Sequence, residues 1–402
     1  YLKSNPLSAE LASLPDMQEL PAVTRIEERT LPYEYDIRSL EELASRLSAI
    51  FKEYRDIFNS SVVVNGTDMD IYRLTSEGVK LKQPAGMASV IVTGEVRTAE
   101  GTVLRDNYSV SAETPGELPS AEELEKGVRA FADRLLALKS APLTDSNYKG
   151  PVLYEDGAVP MAFNQNMLTV GGLVARRMLQ PSPDLLENRF GEKILDSRLS
   201  VKNLTGLEEY NGTRLWGHYA VDADGVEPAA ETVLVEGGVL KGLLNGRYPT
   251  LKAPVTTGST RFMIEPAQPT SMPTFGTVHI SVDKGTDPEK MKKALQKAAK
   301  SAGQDYGYIV RRINGGASEV YRVSVKDGSE EQVRVGAIPV PSLSQLEKLG
   351  AISSGEQVLN LAPNSCPMSL ICPDGMIVND VEIVRPTPKP EKAPAIPAPQ
   401  QR

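Results

Sequence analysis

Two stretches of the chain repeat apolar residues at helical spacing, and a run of alternating residues lies between them. Leu40, Leu43, Leu47, Ile50, Phe51, Tyr54 and Phe58 fall on one face of a helix, and Ser39 with Glu42 forms a capping-box pattern at its start. Leu124, Val128, Phe131, Leu135 and Leu138 recur at alternating steps of four and three, behind a second capping box of Ser120 and Glu123. Between these helices the pattern predicts a meander of strands. Residues 61–65 meet a turn at Asn65-Gly66, and residues 71–74 meet one at Ser76-Glu77-Gly78. Residues 89–97 turn at Glu100-Gly101 into residues 103–111. Helix, strands and helix make one α+β unit over residues 37–148, closed by a loop around Pro142 to Lys149. Residues 1–36 are polar and proline-punctuated, and read as an extended arm.

The second half has a different texture. Its strands are short and separated by glycine turns at Asp224-Gly225, Gly237-Gly238 and Asp327-Gly328. Helices are few. One is expected from Ser182-Pro183, with proline at the first helical position. Another is expected from Asp287-Pro288 to about Ser301, closed by Gly303, and a short one over 344–349, stopped by Gly350. Residues 149–385 therefore predict a β-rich domain, and residues 386–402, with six prolines, a stiff extended tail. The fold class expected is α+β with two domains. No repeat of fixed period is visible.

Composition narrows the functions. With 40% hydrophobic and 24% charged residues, the 402-residue chain falls among globular proteins. No apolar run reaches the roughly 18 residues that span a bilayer. The formal net charge of −8 counts against a nucleic-acid partner. Lys290, Lys292, Lys293, Lys297 and Lys300 gather on one stretch and read as the solvated side of a helix. The chain opens at Tyr1 with neither a starting Met nor a signal-like segment, so its compartment is not read from this end.

Candidate chemistry is sparse. Hydrolytic zinc needs three protein ligands, an open position for water and a nearby carboxylate base. The chain has two histidines, His218 and His279, far apart in sequence, and neither has a His or Glu at helical spacing. No complete His-Glu-x-x-His site is present. Cys366 and Cys372 are too few for a disulfide scaffold and too far apart for a zinc knuckle. Buried apolar cysteines, a local disulfide and a functional thiol all remain open for them. Asp222-Ala223-Asp224-Gly225 looks like the start of a calcium loop without the distal Glu, and reads better as a turn. Nucleophile elbow, phosphate loop and dinucleotide fingerprint are absent.

A run of motifs adds a family. Residues 150–159, Gly-Pro-Val-Leu-Tyr-Glu-Asp-Gly-Ala-Val, resemble the start of the C-terminal domain in the TldD/PmbA family of metallopeptidase-related proteins, also called modulators of DNA gyrase. Leu207-Glu208-Glu209-Tyr210-Asn211-Gly212-Thr213, Gly217-His218-Tyr219 and 222–225 look like that domain's central hairpins. Residues 233–243 around Gly237-Gly238, and Thr256-Thr257-Gly258-Ser259-Thr260-Arg261, resemble two more of its turns. Thr75-Ser76-Glu77-Gly78 is similar to a turn of the family's first domain. The resemblance covers roughly residues 38–385, and its specificity lies in the order and spacing of these motifs.

That resemblance implies a two-domain α+β chain that dimerises. In the active type, a helical His-Glu-x-x-x-His binds zinc, a later cysteine completes the ligands, and the Glu is the base. Here Tyr154 and Val159 fall at the two His positions and only Glu155 remains, as a vestigial catalytic position. Tyrosine is a poor zinc ligand near neutral pH, with a hydroxyl pKa of about 10, and valine has no donor. His218 and Cys366 are secondary candidates. No metal or cofactor is expected in this chain; zinc is expected in a catalytic homologue. The expectation is a non-catalytic subunit, closest to the PmbA/TldE-like type, that binds extended peptide and forms a homodimer or a heterodimer with a zinc-bearing TldD-like subunit. An active peptidase with an unconventional metal site and a peptide-binding scaffold are the alternatives. The resemblance implies a cytoplasmic location, with export as the alternative.

Overall fold

The computed structural model describes residues 13–28, 36–177, 185–265 and 270–391. The first half runs β1 (Thr24–Ile26), α1 (Ile37–Ala49), β2 (Ile57–Leu74), β3 (Lys80–Arg97), β4 (Val103–Ala112) and α2 (Ala121–Ser140). The second half begins β5 (Tyr148–Glu155), α3 (Ala158–Asn166), β6 (Leu199–Leu204), β7 (Glu209–Tyr210), β8 (Thr213–Arg214), β9 (Glu231–Glu236), β10 (Val239–Leu240), β11 (Thr260–Phe262) and β12 (Ser271–Pro273). It continues β13 (Thr277–Val282), α4 (Met291–Ser301), β14 (Tyr306–Arg312), β15 (Glu319–Ser324), β16 (Glu330–Gln332), α5 (Leu343–Leu346), β17 (Glu356–Leu361), β18 (Met368–Pro373) and β19 (Gly375–Ile383).

The first half is a four-stranded sheet under two helices. The stripe Leu124, Val128, Phe131, Leu135 and Leu138 of α2 is buried throughout, against Val90, Val92 and Val96 of β3. A Cβ on Gly94 would lie 3.1 Å from both Phe131 and Leu135, so the helix rests directly on the strand. The Ser120–Glu123 capping box forms: the Glu123 N–H donates to Ser120 Oγ at 3.3 Å, and the Ser120 N–H donates to Glu123 Oε2 at 2.9 Å. The first helix differs from expectation. Its cap is Asp36, which accepts from the Arg38 N–H at 3.0 Å, while Ser39 Oγ donates back to the Asp36 carbonyl at 2.7 Å. The helix tightens after Ala49 into a turn that buries Ile50 and Phe51, and Phe58 falls on β2, 49% exposed.

The expected turn at Asn65-Gly66 is absent. β2 is one strand of 18 residues, and Asn65 and Gly66 sit opposite Ser89 and Ala88 in the middle of the ladder. A long partner strand keeps the pair extended, and the hairpin turns instead at Thr75–Gly78, where the Gly78 N–H donates to the Thr75 carbonyl and Gly78 takes a φ of +94°.

Two sheets build the second half. One has the order β10-β9-β6-β13-β18-β17 and the other β16-β15-β14-β5-β19. The five-stranded sheet is covered on one face by α4, through Leu153, Met291, Leu295, Ile309, Val323 and Ile377. Its other face joins the main core with α3 and the six-stranded sheet. α4 follows Asp287-Pro288 as expected, and Gly303 behind it has φ +71°. The short helix is one turn, capped by Ser342 and Gln345, and begins earlier than the expected 344. The helix expected from Ser182-Pro183 starts outside the described residues. No helix was expected at α3, which carries Pro160 in its first turn, where no intrahelical bond needs the missing N–H. Among the described residues no helix is long and apolar enough to cross a membrane.

The two halves meet through buried polar groups. Asp106 of β4, 6% exposed, receives Arg134 at 3.1 Å, Arg312 at 2.6 Å and the Asn314 amide at 2.6 Å. At the hairpin tip, Arg73 reaches Asp224 at 3.0 Å and Glu77 reaches the buried Arg247 at 2.7 Å. The segment Asp222–Gly225 is a turn, and its carboxylates are already taken. Asp222 accepts from the N–H groups of Asp224, Val226 and Thr260 at 2.9, 2.8 and 3.0 Å, and Asp224 accepts from Thr260 Oγ1 at 2.7 Å. The start of the proline-rich tail also crosses between halves: Glu391 pairs with Arg105 at 3.0 Å.

Two expectations follow. Asp106→Ala leaves Arg134 and Arg312 without their shared carboxylate, and is expected to lower unfolding stability by about 3–5 kcal/mol in a denaturant titration. Burial, reinforced by the nearby Asp224 carboxylate, pushes the Asp222 carboxyl up to about 6 against the pull of its three N–H donors. The folded state then holds that proton more tightly than the unfolded chain, so stability falls as pH rises through the window from the ordinary Asp value to about 6. The loss is up to about 3 kcal/mol, and comparison of wild type with Asp222→Asn across that window should show this part of the slope vanish.

Candidate functional site

The strand β5 delivers the sequence's candidate residues to the joint between the two sheets. It is the inner strand between β14, parallel, and β19, antiparallel. Consecutive strand residues point to opposite faces, and this separates Tyr154 from Glu155. Tyr154 is fully buried in the main core, and its hydroxyl donates to the Pro339 carbonyl at 3.0 Å. Burial pushes its phenol well above the usual value. Val159, in the first turn of α3, is fully buried in the same core.

Glu155 faces the other way, into a charged cluster. Arg311 lies 3.4 Å from Glu155 and 3.3 Å from Glu330, and Lys292 pairs with Glu330 at 2.7 Å. The Arg311 guanidinium also stacks 4.4 Å from the Tyr321 ring. Burial raises the Glu155 carboxyl above the ordinary range, and Arg311 opposes this only in part. Asp156 then takes a φ of +47°, turning the chain out of the strand and into the helix. The three candidate positions therefore do not converge: Tyr154 and Val159 share a core, and Glu155 lies across the sheet from it.

A helical His-Glu-x-x-x-His needs its ligands on successive turns of one helix. The helix that follows β5 is α3, with the sequence Ala-Val-Pro-Met-Ala-Phe-Asn-Gln-Asn, which contains no ionisable side chain. It exposes Met161, Asn164 and Gln165, and the Asn166 amide donates to the carbonyls of Ala162 and Pro341 at 2.7 Å each. Neutral amides and a thioether do not make a hydrolytic zinc centre, so the residues here do not fit the metal.

The secondary candidates also lie apart. His218 is exposed, with Glu208 at 3.7 Å. Cys366 and Cys372 are both buried and both free, which removes the local disulfide. Burial raises both thiols, so neither is an activated nucleophile. His279 Nε2 sits 2.8 Å from Glu356 Oε1, while Tyr210 donates its hydroxyl to the other oxygen of Glu356 at 2.5 Å. Among the described residues no group of three His, Cys, Asp or Glu side chains could hold a metal ion. Sequence reasoning missed the polar contacts of the arm at Gln18 with the loop over 245–257, because main-chain groups make most of them.

Comparison with known proteins agrees with this architecture. Residues 152–331 match the C-terminal domain of the PmbA/TldA metallopeptidases. A metalloprotease of Methanothermobacter thermautotrophicus is 26% identical over 204 residues, which is 48% of this chain and 40% of that protein's length. The crystal structure of TldE from Thermococcus kodakarensis is similar with a TM-score of 0.58 and 17% identity, covering 92% of this chain and 79% of that one. A Thermotoga maritima protein described as a modulator of a DNA gyrase gives a TM-score of 0.61 and 14% identity, over 94% and 82% of the two chains. A Bacteroides thetaiotaomicron protein described in the same terms gives 0.54 and 15%, over 87% and 72%. At these identities the structures speak for the fold, and the sequence match falls on the half built around β5 and α3. Residues 152–331 thus resemble the C-terminal domain of the PmbA/TldA metallopeptidases, and the mixed α and β fold of the chain is similar to that of the TldD/PmbA-type structures.

Proposed function

We propose that this chain is a non-catalytic TldD/PmbA-type subunit that pairs with a second copy or with a zinc-bearing TldD-like subunit and helps to hold an extended peptide. The observation that carries the reading is α3: a helix with no ionisable side chain stands next to the strand whose Tyr154 and Glu155 point to opposite faces. Any hydrolysis would then draw its metal and base from another chain. Glu155, tied to Arg311, supports an ion-pair role better than a base.

Sheet edges supply the means of binding. Among the described strands β2, 18 residues long, stands at the edge of its sheet. Phe58, Val63, Tyr72 and Leu74 on it are exposed. A long edge with apolar side chains is a template for another strand, and strand addition is a recurring way of holding extended peptide.

Co-expression of the tagged chain with a zinc-bearing TldD-like homologue tests the proposal. The expected outcome is a stable complex on size exclusion, with cleavage of an unstructured peptide only when the homologue is present. Peptide cleavage by the isolated chain, abolished by a chelator and by Glu155→Gln, would overturn it.

A further inference from the structure

Residues 15–18 lie along the second half, before the arm joins the first half's sheet as β1, and one residue of this segment is read from every side. The Gln18 N–H donates to the Arg247 carbonyl at 2.9 Å, and the Gln18 carbonyl accepts from Arg247 Nη2 at 2.6 Å and Nε at 3.1 Å. The side-chain oxygen of Gln18 accepts from the Thr256 N–H at 2.9 Å, and its side-chain amide donates to the Pro254 carbonyl. A single loop, residues 245–257, thus offers one donor and one acceptor to a primary carboxamide. Upstream, Arg177 donates to the carbonyl of Pro15 at 2.5 Å and to that of Asp16 at 3.2 Å. The two loops are stitched together, since the Ala175 N–H donates to the Leu244 carbonyl at 2.8 Å. Two arginines therefore grip three main-chain carbonyls, contacts open to almost any extended sequence; Arg177 also reaches the exposed Asp16 carboxylate at 3.4 Å, and the 245–257 loop reads the Gln18 side chain.

The cleft has anchors of its own besides the arm. Arg247 is paired with Glu77 at 2.7 Å. The Asn245 side chain donates to the Ala253 carbonyl at 2.8 Å, and the Asn245 N–H donates to Thr257 Oγ1 at 2.7 Å, which fixes the loop at both ends. The occupant is more loosely held: Pro15, Asp16, Met17 and Glu19 are exposed, and Gln18 is half-buried. Beside the pocket, Tyr248 and Val255 are 57% and 67% exposed, an apolar rim that the arm leaves uncovered.

We propose that the loops over 174–177 and 245–257 form a cleft for an extended peptide carrying a glutamine-type carboxamide, with the chain's own arm seated in it as a tethered stand-in. A carboxamide satisfies both the Thr256 N–H and the Pro254 carbonyl, whereas a carboxylate would face the Pro254 oxygen with no proton to share. Because the arm is covalently attached, it competes at high effective concentration with any peptide arriving from solution. The inference rests on the peptide-holding part of the proposed function and not on a zinc-bearing partner.

Fluorescence anisotropy on the whole chain tests it, with a labelled peptide of the arm sequence Ser-Leu-Pro-Asp-Met-Gln-Glu-Leu-Pro-Ala as probe. Gln18→Ala loosens the arm and should bind this peptide about tenfold more tightly than wild type does. The same peptide with Glu in place of Gln should bind that variant about tenfold more weakly. Gln18→Glu, which conserves side-chain volume, should show the same gain and serves if Gln18→Ala does not fold. A folded variant that binds neither peptide, or both alike, would overturn the proposal. The assay contains no homologue and reads no cleavage. A failed co-purification therefore leaves the cleft standing, and an intact complex with no peptide binding here removes the cleft alone.

Discussion

Asp106 and the pairs Arg73–Asp224 and Glu77–Arg247 decide how the two halves of this molecule sit together. Each half has its own apolar core; across the joint Ala317 enters the first core, and Val79 and Leu81 pack with Val221 in a small buried cluster. The rest of the junction depends on charges partly or wholly taken out of water, which are tolerated because each is met by hydrogen bonds of good geometry. Such contacts define one arrangement more sharply than they add stability. The arrangement matters because the arm crosses it. Arg247 holds Glu77 of the first half with one side of its guanidinium and the Gln18 carbonyl with the other. The docking of the halves and the shape of the peptide cleft thus share a side chain.

Periodicity along the chain was informative where one physical effect dominated. The stripe on α2 needed only apolar burial, and the Ser120–Glu123 box only local geometry, so both were legible. The Asn65-Gly66 pair misled because turn chemistry is a local preference, and the paired length of β3 overrides it. α3 was invisible for a different reason. Its nine residues show no polar side to set against the apolar one until Asn164, and Pro160 reads as a break unless the helix start is already known. The Gln18 cleft had no sequence signal, since the partner atoms are main-chain groups of a loop 229 positions away together with one arginine.

At the candidate site a local reading was possible from the residues alone, and the fold sharpens its meaning. Counting histidines argues against a zinc centre, and the resemblance implies that the active type's ligand positions correspond to Tyr154 and Val159, beside Glu155. The strand geometry adds that Tyr154 and Glu155 cannot serve one metal from opposite faces of a sheet. The helix that follows offers only amides. The acidic and basic groups that remain near β5 are satisfied by one another: Glu155 and Glu330 share Arg311, and Lys292 completes the set. A paired network of this kind stabilises structure and gives a poor base, because the carboxylate's lone pairs already face a cation.

The central claim, that the described residues around Tyr154, Glu155 and α3 do not make a hydrolytic metal site, is tested most directly by metal analysis of the purified chain after equilibration with micromolar zinc and desalting. The account predicts far less than one zinc per chain, unchanged by Glu155→Gln. About one zinc per chain, lost in that variant, would contradict it.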